Sequence, residues 1–190
     1  MIASPSSTYI SPEKYLEMEE QSDNKHEYID GEVYAMAGAS DAHVTIALNL
    51  ASSLRNHVRN RGCRVYIADM KAHIQSLNRY YYPDVMVTCD DRDKETPIYK
   101  QFPCLIVEVL SDSTEAFDRG DKFADYQQIE SLQEYILINT KRQRVECLRR
   151  GDDGLWILQS YTSLQDFYQL QSIDFEGTMT ELYEDVSFEG

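Results

Sequence analysis

Hydrophobic and polar positions change period several times along the chain, and each change marks an element. "SPEKYLEMEE" opens with Ser11 as a capping hydroxyl, Pro12 at the first turn and Glu13 behind it, which predicts a helix. In "KHEYIDGEVYAMAG" two alternating runs flank Asp30-Gly31 and predict a hairpin. "SDAHVTIALNLASSLRNHVRN" then takes up helical spacing. Ser40 or Asp41 caps it, Val44, Ala47, Leu48, Ala51, Leu54 and Val58 form one apolar face, and Gly62 follows a basic last turn. "CRVYIADMKAHIQ" alternates as a strand, with Val65 and Ile67 on one face and Asp69 near its end. "YYYPDVMVTCD" turns at Pro83 into a short strand from Val85 to Thr88. "CLIVEVLS" reads as a strand buried on both faces, and "EYILINT" as another. Between them a polar loop leads into a helix near Asp118–Ile129, and a second hairpin is predicted around Gly151–Gly154. The acidic remainder suggests one short helix at Thr180–Tyr183.

This order of helix, strands, helix and strands predicts a mixed sheet with helices on its faces. A length of 190 residues predicts a loose N-terminus at 1–10 and a single domain over 11–190. No apolar run is long enough to span a bilayer, so no membrane partner is expected. The four cysteines are far apart with no metal-ligand spacing, and they read as reduced thiols of a cytoplasmic protein.

The net charge of −15 argues against a nucleic-acid partner, but its distribution changes that picture. Residues 54–82 hold Arg55, Arg59, Arg61, Arg64, Lys71 and Arg79 against the single acid Asp69. Residues 151–190 hold nine acidic residues and no Lys or Arg. Such a basic middle is compatible with a local phosphate-binding face, and equally with a solvated helix end.

Three carboxylates stand where packing alone would not place them: Asp69, Asp84 after Pro83, and Glu108 inside an apolar strand. A buried carboxylate needs a partner, and two meeting on adjacent strands repel each other. A hard divalent cation answers both needs. Asp84 also reads as a turn cap, and Glu108 as the partner of a buried cation.

The segments "HEYIDGEVYAMAGAS", "YYYPDVMVTCD", "CLIVEVLSDST" and "FDRGDKFADYQQIESLQEYILIN" resemble the Uma-two family of "putative restriction endonucleases", over about Lys25 to Arg150. The resemblance implies the PD-(D/E)XK fold: an α/β (α+β), restriction-endonuclease-like mixed sheet flanked by helices, here with an N-terminal β-hairpin. It also implies that Asp84 is the aspartate of PD and Glu108 the acid of (D/E)-x-K. The lysine of that motif is absent, since Leu110 occupies its place. Lys122, at the start of the following helix, is the candidate to replace it, with Tyr126 one turn later. As a surface lysine it would instead pair with Asp118 or Asp125. His43, Glu27 and Asp69 are supporting candidates. His26, His57 and His73 read as surface residues, and Ser111 lacks the G-x-S-x-G setting of a nucleophile.

The expected function is therefore a Mg²⁺- or Mn²⁺-dependent endonuclease hydrolysing phosphodiester bonds in DNA, as a homodimer. Asp84 and Glu108 would hold the metal, and Asp84, Glu108 and Lys122 would be catalytic. The alternatives are an inactive nuclease-fold module for nucleic-acid or protein interaction, motivated by Leu110, and a structural dimerisation domain.

Overall fold

A computed structural model describes residues 9–188. In chain order the elements are α1 (Pro12–Gln21), β1 (His26–Ile29), β2 (Glu32–Ala35), α2 (Asp41–Val58), β3 (Arg64–Ile67), β4 (Lys71–Ile74), β5 (Arg79–Tyr81), β6 (Val85–Thr88), β7 (Tyr99–Lys100) and β8 (Pro103–Leu110). There follow α3 (Glu115–Arg119), α4 (Asp121–Tyr126), β9 (Glu134–Asn139), β10 (Val145–Arg150), β11 (Trp156–Tyr161), β12 (Phe167–Leu170), β13 (Phe175–Thr178) and α5 (Met179–Leu182). A six-stranded sheet has the order β11-β10-β9-β8-β6-β3, with β8 and β9 parallel and the other pairs antiparallel. A five-stranded sheet has the order β2-β1-β5-β4-β7, and β12 and β13 form a small third sheet.

Three apolar layers hold these elements together. On one face of the six-stranded sheet, Val85, Val107, Val109 and Ile136 pack with Ile46, Leu50 and Leu54 of α2 and with Leu170 and Met179 of the C-terminal segment. On its other face, Met86, Ile106, Leu110 and Tyr135 pack with Tyr126 of α4 and with Ala72, Ile74 and Tyr81 of the five-stranded sheet. Alternation along β8 makes this division, since odd and even residues from 105 to 110 serve opposite layers. On the far face of the five-stranded sheet, Tyr15 of α1 packs with Tyr28 and Tyr80. Tyr15 also donates to the His26 carbonyl at 2.6 Å, so the aromatic cluster fixes the hairpin that carries Glu27.

The expected mixed sheet with flanking helices is present, and four details differ from the sequence reading. The run "CRVYIADMKAHIQ" is two strands in two sheets. The chain bends at Ala68–Met70, with Ala68 at φ 28°, so β3 joins one sheet and β4 the other. On α2 the buried stripe is Ile46, Leu50, Ala51, Leu54 and Val58, while Val44 and Leu48 are exposed. The helix expected near Asp118–Ile129 is two short helices meeting at Gly120. Of the N-terminus expected to be loose, residues 1–8 lie outside the described residues. Ile10 is held there, its N–H donating to the Gly31 carbonyl at 3.1 Å.

The cysteines also correct the expectation of four reduced thiols. Cys63 and Cys89 form a disulfide, with Cα atoms 4.0 Å apart. The register explains it: Arg64 pairs with Thr88 across β3 and β6, so the next residue on each side meets its counterpart. Cys104 and Cys147 are free, and the Cys104 sulfur lies 3.8 Å from that of Cys89. Among the described residues, no helix is long and apolar enough to cross a membrane.

Candidate active site

Asp84 leads into β6, beside the centre of β8. Val85 pairs with Val107, so the same antiparallel register sets Asp84 next to Glu108. One carboxylate oxygen of Asp84 accepts the Val109 backbone N–H at 2.7 Å, and the other lies 2.8 Å from His43 Nε2. His43 reaches it from the first turn of α2, where the Ser40 hydroxyl accepts the His43 backbone N–H and sets the start of the helix. The remaining ring nitrogen of His43 is buried with no hydrogen-bond partner.

Glu108 lies deeper, and its partner is Lys122. The ammonium stands 3.0 Å from Glu108 Oε1, 3.0 Å from Glu27 Oε1 and 3.6 Å from Asp118 Oδ1. Three carboxylates therefore stand within 3.6 Å of one ammonium. All four side chains are less than a tenth exposed. Tyr126 donates to the same Glu108 oxygen at 3.2 Å, and the Tyr82 N–H reaches Glu27 at 3.4 Å. The ring centroid of Tyr81 is 5.4 Å from the ammonium.

Helical spacing explains the delivery of Lys122. Asp118, Lys122 and Tyr126 follow one another at intervals of four, so α3 and α4 present them as one stripe although the helices meet at Gly120. Tyr135 of β9 donates to the Asp118 carbonyl at 2.9 Å and closes the floor of the cluster.

The charges do not balance. Glu27, Asp84, Glu108 and Asp118 share this space with one ammonium. Burial pushes the Glu108 carboxyl well above the ordinary range, and Asp118, Asp84 and Glu27 push it the same way against the pull of Lys122. Burial likewise raises Asp118. For Lys122 burial works against the ammonium, but Glu108, Glu27 and Asp118 outweigh it and hold the group protonated. A single cation cannot neutralise so many buried carboxylates, and both directions follow from that.

This acidic excess fits an added divalent cation, with Asp84 and Glu108 as the oxygen donors. Among the described residues no group of three or more His, Cys, Asp or Glu side chains forms a complete metal cage. Magnesium does not require one, since it binds through one or two carboxylates, its own waters and substrate phosphates.

Of the residues expected at the site, Asp84, Glu108, Lys122, His43, Glu27 and Tyr126 come together. Asp69 does not. It sits in the bend between β3 and β4, exposed and paired with Lys25. His73 is not a surface residue: it stacks on Tyr80 with centroids 4.0 Å apart, and burial lowers its pKa to about 4. Asp118 and Tyr135 were missed as site residues. The i,i+4 relation of Asp118 to Lys122 was the available signal; for Tyr135 there was none short of the sheet register. Two surface cavities, of about 580 and 320 Å³, are lined by other residues. The cluster fills its own space, and solvent meets it at Asp84 and His43, whose side chains are 19% and 15% exposed.

The fold is α+β, with mixed sheets flanked by helices around this carboxylate–lysine cluster. Residues 12–180 match the Uma2 model, described as "Putative restriction endonuclease", and the chain belongs to that family. The uncharacterized protein slr1290 of Synechocystis sp. (strain ATCC 27184 / PCC 6803 / Kazusa) is 40% identical over 99% of this chain and 100% of its own length. A second protein of that organism, sll1609, is 36% identical over 78% of this chain and 85% of its own. A crystal structure from Anabaena variabilis ATCC 29413, described as "a putative nuclease belonging to DUF820", matches the fold with a TM-score of 0.71 at 15% identity. That match covers 85% of this chain and 91% of the other.

Proposed function

We propose that this chain is a Mg²⁺- or Mn²⁺-dependent endonuclease that hydrolyses phosphodiester bonds in DNA. The observation that supports the proposal is the buried Lys122–Glu108 pair, with Asp84 beside Glu108 on the adjoining strand, in a member of the Uma2 family. A divalent ion, when bound, supplies a water of lowered pKa and offsets charge on the phosphate. Asp84 and Glu108 would hold it, and the His43 and Val109 contacts keep Asp84 oriented. Lys122 is held as an ammonium, so it is not the base. It would hydrogen-bond the attacking water or a phosphate oxygen. Glu27, Asp118 and Tyr126 position the pair. We place the protein in the cytoplasm on the ground of a nucleic-acid substrate and not of its cysteines, since Cys63 and Cys89 are paired.

The test is cleavage of supercoiled and linear DNA with Mg²⁺ or Mn²⁺. Cleavage is expected for the wild type, lost with EDTA and lost in both Asp84→Ala and Glu108→Ala. Activity that survives both substitutions sinks the proposal. The rival, a non-catalytic module of the same fold, is favoured by one observation: three carboxylates of the chain already surround the Lys122 ammonium within 3.6 Å. It predicts no metal-dependent cleavage under any of these conditions.

We also propose a homodimer. In support, β11 ends the six-stranded sheet and exposes Ile157 and Leu158, with Leu155 exposed just before it, and no charged residue lies between Asp153 and Asp166. Light scattering should give twice the chain mass, and Ile157→Lys should reduce it to one. A wild type of single-chain mass removes the dimer from the proposal.

A further inference from the structure

Acidic residues are spread through this chain, 33 in 190, yet none occurs between Asp41 and Asp69. That span is α2 with β3, and β3 is the other edge strand of the six-stranded sheet. It forms an acid-free wall on a strongly acidic molecule. At one end of the wall is the candidate site: His43 bonds Asp84, and Ile67 pairs with Val85. At the other end stand Arg55, Arg59, Arg61 and Arg64, all exposed.

None of these four arginines pairs with a carboxylate among the described residues. Arg79, Arg92, Arg119, Arg144 and Arg149 all do. Nearby acids are engaged elsewhere, Asp90 with Arg92 and Asp91 with Lys94. The acidic C-terminal segment does touch α2, through Asn49 to the carbonyls of Leu182 and Glu184 and through His57 to that of Ile173. Those contacts engage backbone carbonyls rather than the arginines, and Arg61 Nη1 lies 3.2 Å from Nε2 of the same His57. A helix C-terminus favours cations, which accounts for Arg55 and Arg59. It does not account for Arg61, in the turn beyond the helix, or Arg64, on β3.

We propose that Arg55, Arg59, Arg61 and Arg64 form a second contact surface, which holds the phosphate backbone of a nucleic acid lying along the α2–β3 wall. The direction of that track rests on the nuclease proposal, which sets the scissile bond at Asp84 and Glu108. At about 1.5 Å rise per residue, Arg55 and Arg59 lie roughly 18–24 Å along the helix from His43. That distance corresponds to about five to seven base steps of duplex at 3.4 Å each. Exposed guanidinium groups suit phosphate oxygens, and the one ring beside them, His57, is held by the Ile173 carbonyl and by Phe175. The wall therefore supplies affinity and direction without sequence preference.

The experiment is fluorescence anisotropy of a labelled DNA duplex of arbitrary sequence, in EDTA so that nothing is cut, across a salt series. The quadruple variant Arg55→Ala, Arg59→Ala, Arg61→Ala, Arg64→Ala should bind at least about tenfold more weakly. Its salt slope should be shallower by roughly three to four, about one for each lost phosphate contact. The quadruple Arg→Lys variant should bind within about threefold of wild type, which separates charge from any folding defect. Equal affinity and slope in the alanine variant overturn the proposal, as does a wild type that binds neither DNA nor RNA. Polyglutamate displacing the duplex as well as unlabelled DNA does overturns the assignment to nucleic acid. Metal-dependent cleavage with arginine-independent binding defeats this surface alone. Arginine-dependent binding without cleavage keeps the surface and defeats the nuclease proposal.

Discussion

Glu108→Gln should lower phosphodiester cleavage by about a thousandfold or more and yet raise the melting temperature of the metal-free protein. The loss follows from removing one of the two carboxylates proposed to hold the metal, since metal stabilisation of several kcal/mol corresponds to about three powers of ten in rate. The gain follows from the charge imbalance. Burial among other carboxylates raises the Glu108 pKa in the folded protein above its ordinary value of 4.5. Its protonated form therefore favours folding below that value, and the contribution disappears as pH rises through the folded pKa. At pH 8, above the ordinary value, the wild type lacks that favourable contribution and bears the cost of the buried acid; glutamine does not. Lys122 keeps Glu27 and Asp118 as partners while the repulsion among the carboxylates falls, and the expected net gain is about 1–2 kcal/mol, or roughly 2–8 °C for a chain of this size. The difference should close near pH 4, where Glu108 is protonated folded or unfolded. Calorimetric melts in EDTA at pH 8 and pH 4 read it directly. A lower melting temperature for the variant at pH 8 would mean that Lys122 needs Glu108 more than the other carboxylates repel it.

Lys122→Met should have the opposite effect on stability and the same effect on activity. The substitution keeps the volume and removes the one cation facing Glu27, Glu108 and Asp118. Breaking a buried ion pair on one side costs about 3–5 kcal/mol, which lowers the melting temperature by roughly 6–20 °C. Acid should rescue part of the loss. The carboxylates left unpaired can protonate, so the gap between variant and wild type should narrow from pH 8 to pH 5. Denaturant melts at the two pH values measure the gap, and a constant or widening gap would show that lost packing is responsible instead.

Most of the site was legible because its residues break local rules. Glu108 interrupts an apolar strand, Asp84 follows a proline where a strand begins, and both fit the motif that the chain resembles. Lys122 was legible only through what is missing, the lysine displaced by Leu110. Asp69 misled because alternation continues through Ala68–Met70 without a break in the pattern. The bend that separates the two sheets is made by backbone dihedrals, which a polar–apolar period does not record. On α2 two overlapping sets satisfy helical spacing, one with Val44 and Leu48 and one with Ile46 and Leu50. The sheet below selects the second. The disulfide was illegible for a related reason: Cys63 and Cys89 meet only through the register of β3 against β6.

Carrying the ammonium on a helix bears on how such proteins are found and how they diverge. If Lys122 serves as proposed, position 110 is released from chemistry, and Leu110 is 2% exposed in an apolar layer with Ile106, Tyr126 and Leu137. Substitutions there are filtered by volume rather than by charge, while the helix can drift in length and sequence provided Lys122 still reaches its carboxylates. A survey that recognises nucleases by residues spaced along one strand would pass over chains built this way. One that ranks structures by the distance from a buried strand carboxylate to any ammonium would retain them.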